Sequence, residues 1–136
     1  MKSRMMLALA MLPVGLACSA SSSTTAPTAS TYVGTYTLVK MNGVVLPDTM
    51  TNNSTLFTVT AGTATISSNG TWSATLTATP SDINVGGTYT VSNGTATLTN
   101  TSDNSTNTGV LSSSNTVLTI TDNGGSARAF TFDKAS

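Results

Sequence analysis

Cys18 is the only thiol in the chain, and there is neither a histidine nor a glutamate to move a proton near neutral pH. The acidic groups are Asp48, Asp82, Asp103, Asp122 and Asp133; the basic ones are Lys2, Arg4, Lys40, Arg128 and Lys134. Covalent catalysis needs a nucleophile with a base in reach, and acid–base catalysis needs groups held at suitable pKa values. The cysteine stands alone near the N-terminus, and the aspartates fall in or beside stretches rich in Asn, Gly, Ser and Pro, where such side chains cap turns. A calcium loop would need several oxygen ligands at tight spacing, and Asp103-Asn104-Ser105 approaches that only thinly. No enzyme, metal site or cofactor is expected from this set.

The chemistry that remains is at Cys18, and the residues before it explain its position. Met1 to Ala17 comprises a basic start (Lys2, Arg4), an apolar run from Met5 through Leu12 and a small-residue site ending Gly15-Leu16-Ala17. That is the layout of a secretory signal, and its apolar run is shorter than the roughly 20 residues that span a bilayer as a helix. Val14-Gly15-Leu16-Ala17-Cys18 resembles the lipobox of bacterial lipoproteins. The resemblance implies removal of residues 1–17, lipidation of Cys18, and anchoring to a membrane of the cell envelope. Ser19 after the cysteine implies the outer membrane where the host has one. The alternative is an ordinary secreted protein with an incidental cysteine, yet a lone unused thiol is a liability in an oxidising compartment.

Residues 18–30 carry the Ser/Thr/Ala/Pro run SASSSTTAPTAS, read as a flexible tether, and residues 31–136 form a single domain. After the leader, three cations stand against five aspartates, a net charge of −2 with no cluster of either sign. A nucleic-acid partner is therefore not expected, because phosphate neutralisation requires grouped Lys and Arg. A monomer is expected.

From Thr31 onward apolar residues alternate with Thr and Ser, broken by Gly, Asn, Asp and Pro, and no stretch shows a helical period. Strands are expected near 33–40, 55–60, 63–68, 71–78, 86–92, 95–100, 107–112, 116–121 and 126–133. Asn69-Gly70 and Asn93-Gly94 read as two-residue type I′ hairpins, Ala61-Gly62 as a further tight connection, and Asn42-Gly43 as the start of a longer loop over 41–53. Parity puts Trp72, Ala74 and Leu76 on one face of their strand and Thr71, Ser73, Thr75 and Thr77 on the other. The same division turns Tyr36, Leu38, Phe57, Ile66, Tyr89, Leu98, Leu118, Ile120, Phe130 and Phe132 inward. The fold class is all-β. Some eight or nine short strands joined by near-neighbour hairpins favour an up-and-down antiparallel meander closed into a barrel, with a β-sandwich as the alternative.

The opening strand, Tyr32-Val-Gly34-Thr-Tyr36-Thr-Leu38-Val, resembles the first-strand G-x-W signature of lipocalins and their fatty-acid-binding relatives, with Tyr36 at the Trp position. Together with Asn42-Gly43-Val-Val-Leu46-Pro47 and the later Asn-Gly turns, it is similar to small lipocalin-like bacterial lipoproteins. The resemblance implies that an arginine of the last strand, matched by Arg128, lies against Tyr36 where the barrel closes. It also implies an apolar pocket for a small hydrophobic ligand, lined by Tyr36, Leu38, Phe57, Ile66, Trp72, Ala74, Leu76, Tyr89, Leu98, Leu118, Ile120 and Phe130 and covered by the 41–53 loop. The competing expectation is a structural or adhesion-type surface protein with a solid barrel, in which Ala64, Ala74 and Ala96 merely permit tight packing. An internal void beside those alanines distinguishes the two.

Overall fold

The computed structural model describes residues 25–124 and 127–136. The leader, Cys18 and the first part of the tether lie outside that range. In chain order the elements are α1 (Ala29–Tyr32), β1 (Gly34–Met41), β2 (Val44–Val45), β3 (Asp48–Asn52), β4 (Thr55–Ile66), β5 (Thr71–Thr79), β6 (Ile83–Ser92), β7 (Thr95–Asn100), β8 (Thr106–Leu111), β9 (Val117–Asp122) and β10 (Ala129–Lys134). From β4 to β10 each strand pairs antiparallel with the next, and β1 pairs with both β10 and β4. Tyr36 sits opposite Lys134 on one side and Ala64 on the other, so the sheet returns on itself as a closed barrel of eight strands. This is the up-and-down meander, consistent with a lipocalin-like fold, and not a sandwich.

Closure is complete only at one end. β1 pairs with β4 from Gly34↔Ile66 to Thr37↔Thr63, after which the two diverge. In the gap β1 folds back onto β2 (Met41↔Val44) and β4 takes β3 as its partner (Met50↔Phe57). The segment 41–53, expected as a covering loop, is therefore two extra strands that extend the wall. The reason is local: Asn42 and Gly43 adopt φ of 49° and 81°, the positive pair of a type I′ turn, so the chain reverses at once.

Two other turns differ from the sequence-based expectation. Asn93-Gly94 is type I′ as expected (φ 50° and 77°, with Ser92↔Thr95 closing it). At Asn69-Gly70 only Gly70 has positive φ, at 84°; the loop runs from Ser67 to Gly70, with Ser67 N–H donating to Thr71 O at 2.9 Å and Asn69 Oδ1 accepting from the Thr71 hydroxyl at 2.6 Å. Ala61-Gly62 is no turn at all. β4 runs through it with a bulge between Val59 and Ala61, and Gly62 serves packing: a Cβ there would lie 2.9 Å from Leu38 Cδ2 and 3.0 Å from Leu76 Cδ2.

Alternation is regular along β5. β5 alternates exposed Thr71, Ser73, Thr75 and Thr77 with buried Trp72, Ala74 and Leu76. The closed end is plugged from outside the barrel by α1, a single turn within a stretch expected to be irregular. The completely buried Tyr32 donates its hydroxyl to Gly94 O and Gly109 O at 2.8 and 3.0 Å, and Tyr36 Oη donates to Tyr32 O at 2.6 Å. Part of the expected tether is thereby drawn into the fold: Ala26 and Pro27 lie directly over Gly94, and Ala29 and Ser30 belong to α1.

Candidate functional site

The barrel has a solid half and a hollow half. In the solid half, next to α1, Tyr36, Leu38, Ile66, Leu98 and Leu118 are at most 4% exposed and none lines the cavity of the hollow half. Tyr89, also buried, donates its hydroxyl to Ser67 O at 2.9 Å, and Phe57 rests half-buried on the core from the β3–β4 extension. Of the twelve expected pocket residues, Tyr36, Leu38, Ile66, Tyr89, Leu98 and Leu118 are thus buried core side chains outside the cavity lining, close-packed against one another, and Phe57 packs part-buried against that core.

At the opposite end the barrel opens into a cavity of about 450 Å³. Trp72, Ala74, Leu76, Ile120 and Phe130 line it, joined by Met50, Ile83, Val85 and Phe132. Ala74 is the only one of the three highlighted alanines on this wall; Ala64 and Ala96 sit in the solid half. Trp72 is anchored by its indole N–H, which donates to Thr99 O at 3.3 Å. It sits opposite Gly87, where a side chain is excluded: a Cβ would come within 1.9 Å of Thr99 O.

Above this apolar floor the wall turns polar. Asn100, Asn107, Asp122 and Arg128 all border the cavity near its mouth. Parity is the signal that could have revealed them: Asn100 continues the inward series Ala96, Leu98; Asn107 precedes Gly109 and Leu111; Asp122 follows Leu118 and Ile120; and Arg128 precedes Phe130 and Phe132. Polar residues that keep the inward phase at strand ends mark where a barrel opens to water.

One corner of the mouth has a defined hydrogen-bond direction. Asp103 Oδ1 accepts from the Ser105 hydroxyl at 2.7 Å and from Ser105 N–H at 2.9 Å, which holds this carboxyl below the usual carboxylate range. With its proton committed to Asp103, Ser105 Oγ accepts from Asn100 Nδ2 at 2.8 Å, and that orients the amide. Asn100 Oδ1 is left shielded from solvent without a partner, an arrangement that carries a desolvation cost.

Arg128 is not where the lipocalin resemblance places it. Its Nη2 donates to Thr51 O of β3, across the mouth, and the cation over the Tyr36 ring is Lys134, with Nζ 5.6 Å from the centroid and 3.2 Å from Thr31 O, to which it donates. The physical reason is strand direction. Arg128 precedes β10 and so lies at the open end, whereas Lys134 ends β10 directly opposite Tyr36.

Asp82 and Asp122 accept the backbone N–H groups of Ala78 and Gly124, the turn-capping role expected of the aspartates. Among the described residues no three His, Cys, Asp or Glu side chains converge as metal ligands. No protein-family model matches the chain, and no curated protein is significantly similar to it. The cavity thus combines an apolar floor with a polar rim at its mouth.

Proposed function

We propose that this is a lipid-anchored protein of the bacterial cell envelope whose barrel carries a small molecule with a hydrophobic body, and that it is not an enzyme. The cavity is the observation that carries the reading. Its volume of about 450 Å³ falls within the range of small-ligand sites, and its floor of Trp72, Leu76, Ile120, Phe130 and Phe132 is the surface such a ligand would cover. Anchoring rests on the lipobox-like run ending at Cys18, and outer-membrane placement on Ser19.

The test is a titration of the full chain with Nile red, an apolar dye whose emission reports its surroundings. Saturable one-site binding in the micromolar range is expected, equivalent to roughly −8 kcal/mol. Ala74→Phe should abolish it by filling the cavity. Absence of saturable binding, together with a loss of about 1–3 kcal/mol of stability in Ala74→Phe from overpacking, would instead establish the solid, structural role.

A further inference from the structure

The charge pattern at the cavity mouth narrows the ligand class, an inference that rests on the ligand-carrying reading above. Asn107 and Asp122 are directly opposed on β8 and β9, and Asp122 N–H donates to Arg128 O, which places Arg128 next in the same inward row. Side chains so opposed stand about 4.5–5.5 Å apart at Cβ, so the three form one continuous belt. The belt is incompletely satisfied from within the protein. Asp122 uses Oδ1 for Gly124 N–H, Arg128 uses Nη2 for Thr51 O, and the Asn107 side chain makes no hydrogen bond among the described residues. Asp122 and Arg128 form no salt bridge with each other, although they are neighbours.

We infer that the cavity selects an amphiphile with a neutral, hydroxylated head, held by the Asn107–Asp122–Arg128 belt, its apolar body lying on Trp72 and Phe130. A hydroxyl both donates and accepts, as a row made of amide, carboxylate and guanidinium requires. A carboxylate head drawn to Arg128 meets Asp122 at once, and an ammonium drawn to Asp122 meets Arg128. Either ionised head must also give up water at the edge of an apolar floor, which costs more than burying a hydroxyl that keeps its hydrogen bonds.

Emission from Trp72, the only tryptophan in the chain and part of the cavity wall, supplies the readout. The full chain is titrated with monodecanoin, decanoate and decylamine, which share one chain length and differ in the head, each below its aggregation threshold. Monodecanoin should bind about tenfold more tightly than either ionised ligand, and Asn107→Leu should remove that preference, as expected for one hydrogen bond. Asp122→Asn retains an acceptor for Gly124 N–H and should raise decanoate affinity by about tenfold, since the like charge beside Arg128 is gone. Decanoate or decylamine matching monodecanoin, or a preference unchanged in both variants, overturns the inference while leaving the ligand-carrying reading intact. No saturable signal from any of the three ends both.

Discussion

At the scale of single residues, the buried tyrosines at the closed end show how one hydroxyl can serve both packing and alignment. Tyr36 is wholly buried, its pKa pushed up to about 12 by burial first and by the neighbouring Tyr32 and Tyr89 second. An unfolded tyrosine loses its proton near pH 10, so between there and about 12 the folded chain holds a proton that the unfolded chain has released. Stability from this group is thus complete below about pH 10 and falls as the pH climbs toward the folded value. Urea midpoints measured across that window should decline with pH, and Tyr36→Phe should flatten the decline. At neutral pH the same change should cost about 1–3 kcal/mol, because Tyr32 O loses its buried donor. A midpoint in Tyr36→Phe equal to that of the unaltered chain at neutral pH would show that the hydroxyl is dispensable.

At the scale of elements, the barrel is narrow because it places glycine where neighbouring side chains must cross. Gly62 in β4 faces inward beneath Leu38 and Leu76, and a Cβ at Gly109 in β8 would press on Ala96 Cβ at 3.3 Å. Neither needs an unusual backbone, so the requirement is space. Gly62→Ala should therefore destabilise despite the usual gain from replacing glycine in a strand, by about 1–3 kcal/mol through overpacking. Chemical denaturation of the two chains checks this, and a stabilised Gly62→Ala would show that the leucines move aside freely. The extra strands follow the same economy: once β1 and β4 part, their unpaired backbone groups must find partners, and β2 and β3 supply them.

At the scale of the whole molecule, the two ends of the barrel differ in what they meet. The chain enters beside the closed end, where Ala26 and Pro27 cover Gly94, and the cavity opens at the other. From Cys18 to Thr25 the covalent reach is at most about 25 Å, at 3.3–3.6 Å per residue, so the anchor proposed at Cys18 would hold the closed end near the bilayer and turn the mouth toward the aqueous side. Membrane-extracted protein should show an intact mass lacking residues 1–17 and carrying lipid on Cys18, and Cys18→Ser should leave the membrane fraction. On anchored protein, a fluorophore at Ser113, at the closed end, should be quenched by lipid-borne quenchers more strongly than one at Ser102, at the mouth; the reverse order would refute this orientation.

The strand register was legible in the chain itself, because a period of two in Thr and apolar residues admits one buried face: Trp72, Ala74 and Leu76 could be placed inward with no other information. The type I′ turn at Asn93-Gly94 was legible for a similar reason, being set by residues that tolerate positive φ. Tertiary structure alone decided what glycine at 62 was for, because a glycine that turns and a glycine that makes room look identical in sequence. It alone decided which cation covers Tyr36, since that depends on which end of β10 meets β1. The division between solid core and open cavity was likewise beyond any local pattern: inward parity is shared by Leu98 and Ile120, and only the convergence of strands around them leaves space beside one and none beside the other.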